Sequence, residues 1–249
     1  MPRYDFNAPR LFVEADLEAG AQIPLTREQA NYLVTVLRLR EGDQILAFNG
    51  RDGEWRSTLS ASSRKAAFLH AQERARAQDR APDLQYLFAP LKQARQDYMV
   101  QKAVEMGVRR LRPVMTRRTQ ASRVNLARMR ANAIEAAEQC GIMTIPDIDP
   151  QMKLESVVSG WPPDRLLIFC DEDAEALDPL ATLLAAPAPQ SLAVLIGPEG
   201  GFDPGEREML RRLPGVTVLS LGPRILRADT AAVAALALVQ AAWGDWRSE

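Results

Sequence analysis

The sequence predicts two regions of different class: a small β-rich barrel over residues 1–75, and an α/β domain built on a doubly wound parallel sheet over residues 80–249. Three observations carry this expectation. From Leu84 onward, apolar runs of strand length alternate with helical patterns, the rhythm of strand-helix-strand units. Two of the runs, LAVLI and VTVLSL, are continuously apolar, as in strands covered on both faces. Each of these two then ends in a Gly-Pro step followed by a charged residue, Gly197-Pro198-Glu199 and Gly222-Pro223-Arg224. Two strand-ending loops of one kind imply one shared site, because ligands of parallel sheets bind at the carboxyl ends of the strands.

In chain order, RLFVE opens the β-rich region and is followed by a helix over TREQANYLVTVLRLR. Thr26 and Gln29 have the spacing of a capping box, and Ala30, Leu33, Val34 and Leu37 share one helical face. Three strands follow, DQILAFNG, EWRSTLS and AAFLHAQ, with a hairpin loop at Asn49–Gly53. The polar segment Glu73–Pro82 has the composition of a linker. Beyond it the strands LQYLFAP, LRPVM, LLIFC, LAVLI and VTVLSL alternate with helices over 96–106, 126–140, 179–185, 204–213 and 230–243. Asp203 before Pro204, with Glu206 close behind, starts the fourth of these helices. The last one, AAVAALALVQAA, is apolar nearly all round, which suits a core helix or a partner interface.

Composition bounds the chemistry. With 47% hydrophobic and 25% charged residues and a net charge of -1, the 249 residues read as a globular protein. No apolar run approaches the roughly 18 residues of a membrane span, and residues 1–20 lack the apolar centre of a signal peptide, so a cytoplasmic protein without membrane attachment is expected. Two cysteines and a single histidine, His70, make a metal centre unexpected, and His70 reads as a sheet residue. The charge is unevenly spread: Arg109, Arg110, Arg112, Arg117, Arg118, Arg123, Arg128 and Arg130 fall in one stretch that contains no acid, which suits phosphate contact. Asp171–Asp178 holds five acids, a local excess that reads equally as a solvated loop. The first α/β strand ends in Ala89-Pro90-Leu91-Lys92 rather than a dinucleotide or triphosphate loop, and there is no Gly-x-Ser-x-Gly elbow. What remains is a small-molecule pocket beside an arginine-rich surface.

The segments IGPEGGF and LGPRILRADTA, together with VQKAVEMGVRRLRPVMTRRT and AIEAAEQCG, resemble the SPOUT class of S-adenosylmethionine-dependent RNA methyltransferases. Within it they are most similar to the 16S rRNA (uracil-1498-N3)-methyltransferase family, ribosomal RNA small subunit methyltransferase E. The resemblance implies a knotted SPOUT α/β domain after a PUA-like barrel, S-adenosylmethionine as methyl donor, a homodimer, and 16S rRNA of the small subunit as partner. Carried over by position, the donor site would use Phe169, Cys170, Asp171, Ile196, Gly197, Pro198, Glu199, Gly200, Gly201, Leu221, Gly222, Ile225, Leu226 and Thr230. Arg227, Glu199 and Asp229 are the catalytic candidates; Arg10, Arg38, Arg117, Arg118 and Arg123 are the RNA-binding ones. Several have a purely structural alternative: Thr230 as a helix cap, Glu199 as a turn residue, Arg227 as a salt-bridge partner of Asp229. Where the family usually has Arg-x-Glu-Thr, this chain has Arg227-Ala228-Asp229-Thr230, which keeps the carboxylate and shortens its reach. Ile142 and Asn31 also depart from the usual arginine and histidine. Two other functions fit the same features, a non-catalytic RNA-binding assembly module and a methyltransferase acting on a tRNA ribose.

Overall fold

A computed structural model describes residues 8–63, 66–79, 82–121, 123–175 and 178–247. Residues 1–7, part of the stretch read for a signal peptide, lie outside the described residues. The chain divides into two compact units, one of residues 1–80 with Ala137–Ile145, the other of Ala81–Ala136 with Pro146–Glu249.

The first unit is a five-stranded sheet. Its strands are β1 (Arg10–Phe12), β2 (Gln22–Pro24), β3 (Gln44–Phe48), β4 (Glu54–Ser63) and β5 (Ala66–Arg76), in the order β1-β3-β4-β5-β2. Only β1 and β3 pair in parallel; the hairpin at Asn49–Gly53 joins β3 to β4, with Phe48 opposite Glu54. Register shifts along β4 and β5 bend this long ribbon, and it closes over a core that includes Leu11, Ile23, Leu33, Ile45, Leu59 and Leu69. His70 sits in β5 opposite Gln22 and Thr58, edge-on to the Phe68 ring. The segment read as a linker begins inside β5, since Glu73 and Arg76 still pair with Arg56 and Glu54.

The helix of this unit is shorter than its sequence pattern predicts. α1 (Arg27–Asn31) starts with the expected Thr26–Gln29 capping box, then widens into a π-turn over Tyr32–Val36 and stops. The stop is a left-handed cap. Arg38 takes φ 59°, a conformation usually left to glycine, while the amides of Leu37 and Leu39 return to the carbonyls of Tyr32 and Leu33.

The second unit is a parallel sheet of seven strands. They are β6 (Asp83–Phe88), β7 (Arg110–Met115), β8 (Asp147–Ile148), β9 (Met152–Lys153), β10 (Leu166–Cys170), β11 (Ser191–Ile196) and β12 (Val216–Leu219). Their order is β12-β10-β11-β6-β7-β8, with β9 added to the end of β7. Helices α2 (Gln93–Glu105), α3 (Leu126–Gln139), α4 (Leu154–Ser159), α5 (Pro179–Leu184), α6 (Pro204–Arg211) and α7 (Ala228–Trp243) connect them. The sequence pattern anticipated all but the short β8, β9 and α4, which are too brief to show a period. Asp203 caps α6, with Pro204 opening the helix and Glu206 completing a capping box. Leu87, Leu167, Phe169, Leu195 and Phe202 are central to the core. α7 is largely covered by its own chain: Ala231, Ala232, Ala235, Leu236, Val239 and Ala242 are buried, and the helix packs on α2, α5 and β11.

Candidate functional site

β12, β10 and β11 are neighbours in the sheet and run parallel, so their carboxyl ends at Leu219, Cys170 and Ile196 lie side by side. The loops leaving these three ends enclose a cavity of about 510 Å³, within the range of roughly 300–1,000 Å³ that encloses a cofactor-sized ligand. It is lined from β10 by Cys170, Asp171 and Glu172, from β11 by Ile196 to Gly201, and from β12 by Leu219 to Ala228, with Ala231 and Arg95 completing the wall.

Local chemistry fixes each loop. Gly197 lies against the Phe202 ring, where a side chain would collide with the aromatic face. Gly201 has φ +68°, and a β-carbon there would run into the Glu172 carboxylate. Gly222 has φ +96° with open space around it. The acidic run after β10 is a clamp rather than a solvated loop. Buried Asp171 accepts from Arg207 Nε at 3.0 Å and from Arg211 at 2.8 Å, both on α6, and Arg207 also pairs with Glu172 and Asp173. Burial opposes the Arg207 charge, but Asp171, Glu172 and Asp173 outweigh it and raise its pKa. The Cys170 thiol is pushed up to about 12, by burial first and then by Asp171, so it is a neutral apolar wall.

The structure brings Cys170, Asp171, Ile196, Gly197, Pro198, Glu199, Gly200, Gly201, Leu221, Gly222, Ile225, Leu226 and Arg227 to this cavity. Three expected residues do not line it. Phe169 points to the opposite face of β10 from Cys170, into the core against Phe202, because successive strand residues alternate. Thr230 is exposed; Ala228 and Ala231, three apart on α7, take the inward positions instead. Nor does Thr230 cap α7, since the N-cap is Arg227. Asp229 stands behind Arg227, with Oδ1 3.9 Å from Arg227 Nε, and this buried oxygen has no hydrogen-bond partner among the described residues. Burial, then Cys170 and Asp229, raise the pKa of the Tyr86 hydroxyl on β6, whose proton goes to Met99 Sδ at 3.1 Å. Glu199 is ion-paired with Arg95 of α2, a residue that carried no motif; the strand-end rule applied to β6 would have pointed to its neighbourhood.

The RNA-binding candidates separate sharply. Arg10 is buried and cannot reach a nucleic acid. Its Nε donates to Glu54 at 2.6 Å, its other nitrogens donate to the carbonyls of Ala137, Glu138 and Ile142, and its guanidinium covers the Phe48 ring. Arg38, Arg117, Arg118 and Arg123 are exposed. The arginine stretch is partly neutralised by acids distant in sequence: Arg110 and Arg112 pair with Asp147 and Asp149, Arg117 with Asp203, and Arg128 with Asp97. Arg118 donates to the Gly200 carbonyl at 2.9 Å, which ties it to the cavity rim.

The RNA methyltransferase domain family matches residues 79–240, the whole span of these loops, and the RNA methyltransferase PUA domain family matches residues 25–71. The chain belongs to the RNA methyltransferase family. Its relatives within that family include the ribosomal RNA small subunit methyltransferase E of Synechocystis, 30% identical over 94% of this chain and 78% of the relative. That of Rickettsia conorii is 27% identical, covering 93% and 94%. The crystal structure of ribosomal RNA small subunit methyltransferase E from Neisseria gonorrhoeae bound to S-adenosyl methionine superposes with a TM-score of 0.88 at 25% identity, over 97% of this chain and all of that one. For this family member the mixed architecture of a curled sheet and a parallel sheet is therefore shared with an RNA methyltransferase over nearly its full length.

Proposed function

We propose that the protein transfers a methyl group from S-adenosylmethionine to N3 of one uridine, of the uracil-1498 type, in 16S rRNA of the small ribosomal subunit. The observation that carries this reading is the cavity at the carboxyl ends of β12, β10 and β11, formed by loops that lie within the RNA methyltransferase family match over residues 79–240. Its intact shape speaks against a purely RNA-binding module. The division of labour follows the sequence expectation of 1–75 as the PUA-like RNA-binding region and 80–249 as the methyltransferase domain, except that residues 137–145 go with the first of these.

The residues present suit S-adenosylmethionine. Apolar Ile196, Leu221 and Leu226 can cover the faces of a purine, and the glycine-opened loops leave backbone amides and carbonyls accessible to its edge. When bound, the sulfonium supplies an already activated methyl group. The protein's own task is to align the acceptor, remove the N3 proton and stabilise the charge that spreads onto the flanking uracil oxygens. Arg227, whose side chain is 58% exposed at the cavity, is placed to meet that charge. Glu199 lines the cavity and is the proton acceptor, oriented by Arg95. Asp229, 19% exposed and behind Arg227, acts as a positioning residue for the guanidinium. N3 lies on the pairing edge, so the target uridine must be unpaired or extruded when it reacts.

The deciding experiment is nucleoside mass spectrometry of small-subunit rRNA from cells lacking the protein, complemented with wild type or Arg227→Ala. Loss of 3-methyluridine, restored by wild type and restored poorly by Arg227→Ala, is expected. Undiminished 3-methyluridine in the deletion strain would overturn the assignment.

A further inference from the structure

A second cavity, of about 160 Å³, lies beside the first. It is lined by Pro90, Leu91, Lys92, Arg118, Gln120, Ala121, Pro198 and Glu199, so the two cavities have Pro198 and Glu199 as a common wall. The sheet order explains the adjacency. β11 is flanked by β10 on one side and by β6 on the other, with β7 beyond β6. The large cavity sits over the ends of β12, β10 and β11; the small one sits over the ends of β11, β6 and β7, one strand further along the same row.

Both loops that floor the small cavity are held in place. After β6, the buried Gln96 side chain accepts from the Leu91 amide at 3.2 Å. After β7, Thr116 and Thr119 share hydroxyl and backbone hydrogen bonds, and the Arg117 amide donates to Glu206 at 2.8 Å. Lys92, Arg118 and Gln120 line this cavity, and Arg118 is held at its edge by the bond to the Gly200 carbonyl. The Lys92 ammonium has no ion-pair partner among the described residues, and the single acid in the wall, Glu199, is already paired with Arg95. The cavity is thus net positive, and too small for more than one group of a ligand.

We propose that this cavity holds a backbone phosphate of the acceptor strand, next to the reacting uridine, with Lys92 and Arg118 as its cationic contacts and Gln120 as an amide donor. The proposal rests on the reading of the large cavity as the methyl-donor site. A strand anchored here presents its neighbouring base across the Pro198–Glu199 wall, the side from which the methyl group must be reached. Lys92, Arg118 and Gln120 therefore bind and position the acceptor and take no part in bond making.

The test is methyl transfer to small ribosomal subunits purified from cells lacking the protein, at a series of salt concentrations. Lys92→Ala should raise KM at least fivefold with kcat within twofold, as expected for lost uniform binding. Its log-log dependence of kcat/KM on salt should be shallower by about 0.7–0.9, the signature of one lost phosphate contact. Lys92→Arg should restore most of both, and S-adenosylmethionine affinity should be unchanged throughout. Unaltered KM and salt slope in both Lys92→Ala and Gln120→Ala would overturn the proposal. If wild type itself transfers no methyl group, the functional reading fails first; the cavity is then judged by direct binding of single-stranded oligouridylate, where equal affinity of wild type and Lys92→Ala overturns it and weaker binding by the variant supports it.

Discussion

Arg10 Nε lies 2.6 Å from Glu54 Oε1, with side chains only 1% and 2% exposed, and Arg76 closes on the other carboxylate oxygen at 2.7 Å. One buried acid thus serves two arginines. Neutralising it takes a buried carboxylate away from both guanidinium groups, a change that costs about 3–5 kcal/mol. Glu54→Gln should lower the urea midpoint accordingly, and an unchanged midpoint would show the pair to be a bystander. Burial alone would raise the Glu54 pKa, but Arg76 and Arg10 more than offset it and hold it below the ordinary 4.5. Its stabilising contribution is therefore complete above that pH and is lost as pH falls through the lowered folded value.

Two adjacent glycines should respond differently to the same methyl group. Gly201→Ala forces a left-handed alanine and displaces Glu172 from its contact with Arg207, whereas Gly200→Ala meets only the Arg118 side chain at 3.7–3.8 Å. Calorimetry with S-adenosylmethionine should show at least tenfold weaker binding for the first and near-wild-type binding for the second. Equal affinities would mean that the Gly201 turn does not shape the donor site.

The arginine stretch should split by pairing state. Arg123 is exposed with no ion pair among the described residues, whereas Arg112 is engaged by Asp149 and Gln85. In filter binding to rRNA across a salt series, Arg123→Ala should flatten the log-log slope by about 0.7–0.9 and Arg112→Ala should leave it alone. The reverse pattern would remove Arg123 from the interface.

Cys170, with its pKa near 12, should resist iodoacetamide at pH 8 in the native protein, while exposed Cys140 is alkylated. Peptide mapping after short exposure reads this directly. Both should react once the chain is unfolded, and rapid native labelling of Cys170 would contradict its burial.

A two-fold dimer remains our proposal, but its basis moves away from α7, which the chain itself covers. Among the exposed apolar side chains, Leu184 on α5, Trp246 beyond α7 and above all Ile225, 90% exposed, are our candidates for the partner contact. Sedimentation should give about twice 27.6 kDa for wild type and a smaller species for Ile225→Glu. Wild type running at 27.6 kDa at micromolar concentration would end the proposal.

Much of this was legible in the residues. The continuous apolar runs and repeated Gly-Pro steps pointed to adjacent parallel strand ends, because both signals are local. Pairings between distant residues were not legible: nothing near Arg10 announces that Glu54 will bury it, and a basic run shows no acid when its partners Asp97, Asp147, Asp149 and Asp203 lie elsewhere. The inward or outward sense of Phe169 and Thr230 was lost for a related reason, since the phase of a short strand or helix start is set by packing. Arg38 defeated the helix end because an arginine in a glycine's conformation leaves no mark in composition.

Residues Ala137–Ile145 belong to the first unit although α3 begins in the second. The carbonyls of Ala137, Glu138 and Ile142 take the Arg10 guanidinium, and that of Gly141 takes Arg76. The curled sheet is consequently not a cassette. A fragment ending at residue 80 would lack the acceptors for two of its own arginines, and a chimera that exchanged the first 80 residues between relatives would have to carry the end of α3 along with them. A truncation or exchange that keeps these contacts must therefore carry residues 8–79 and 137–145 together.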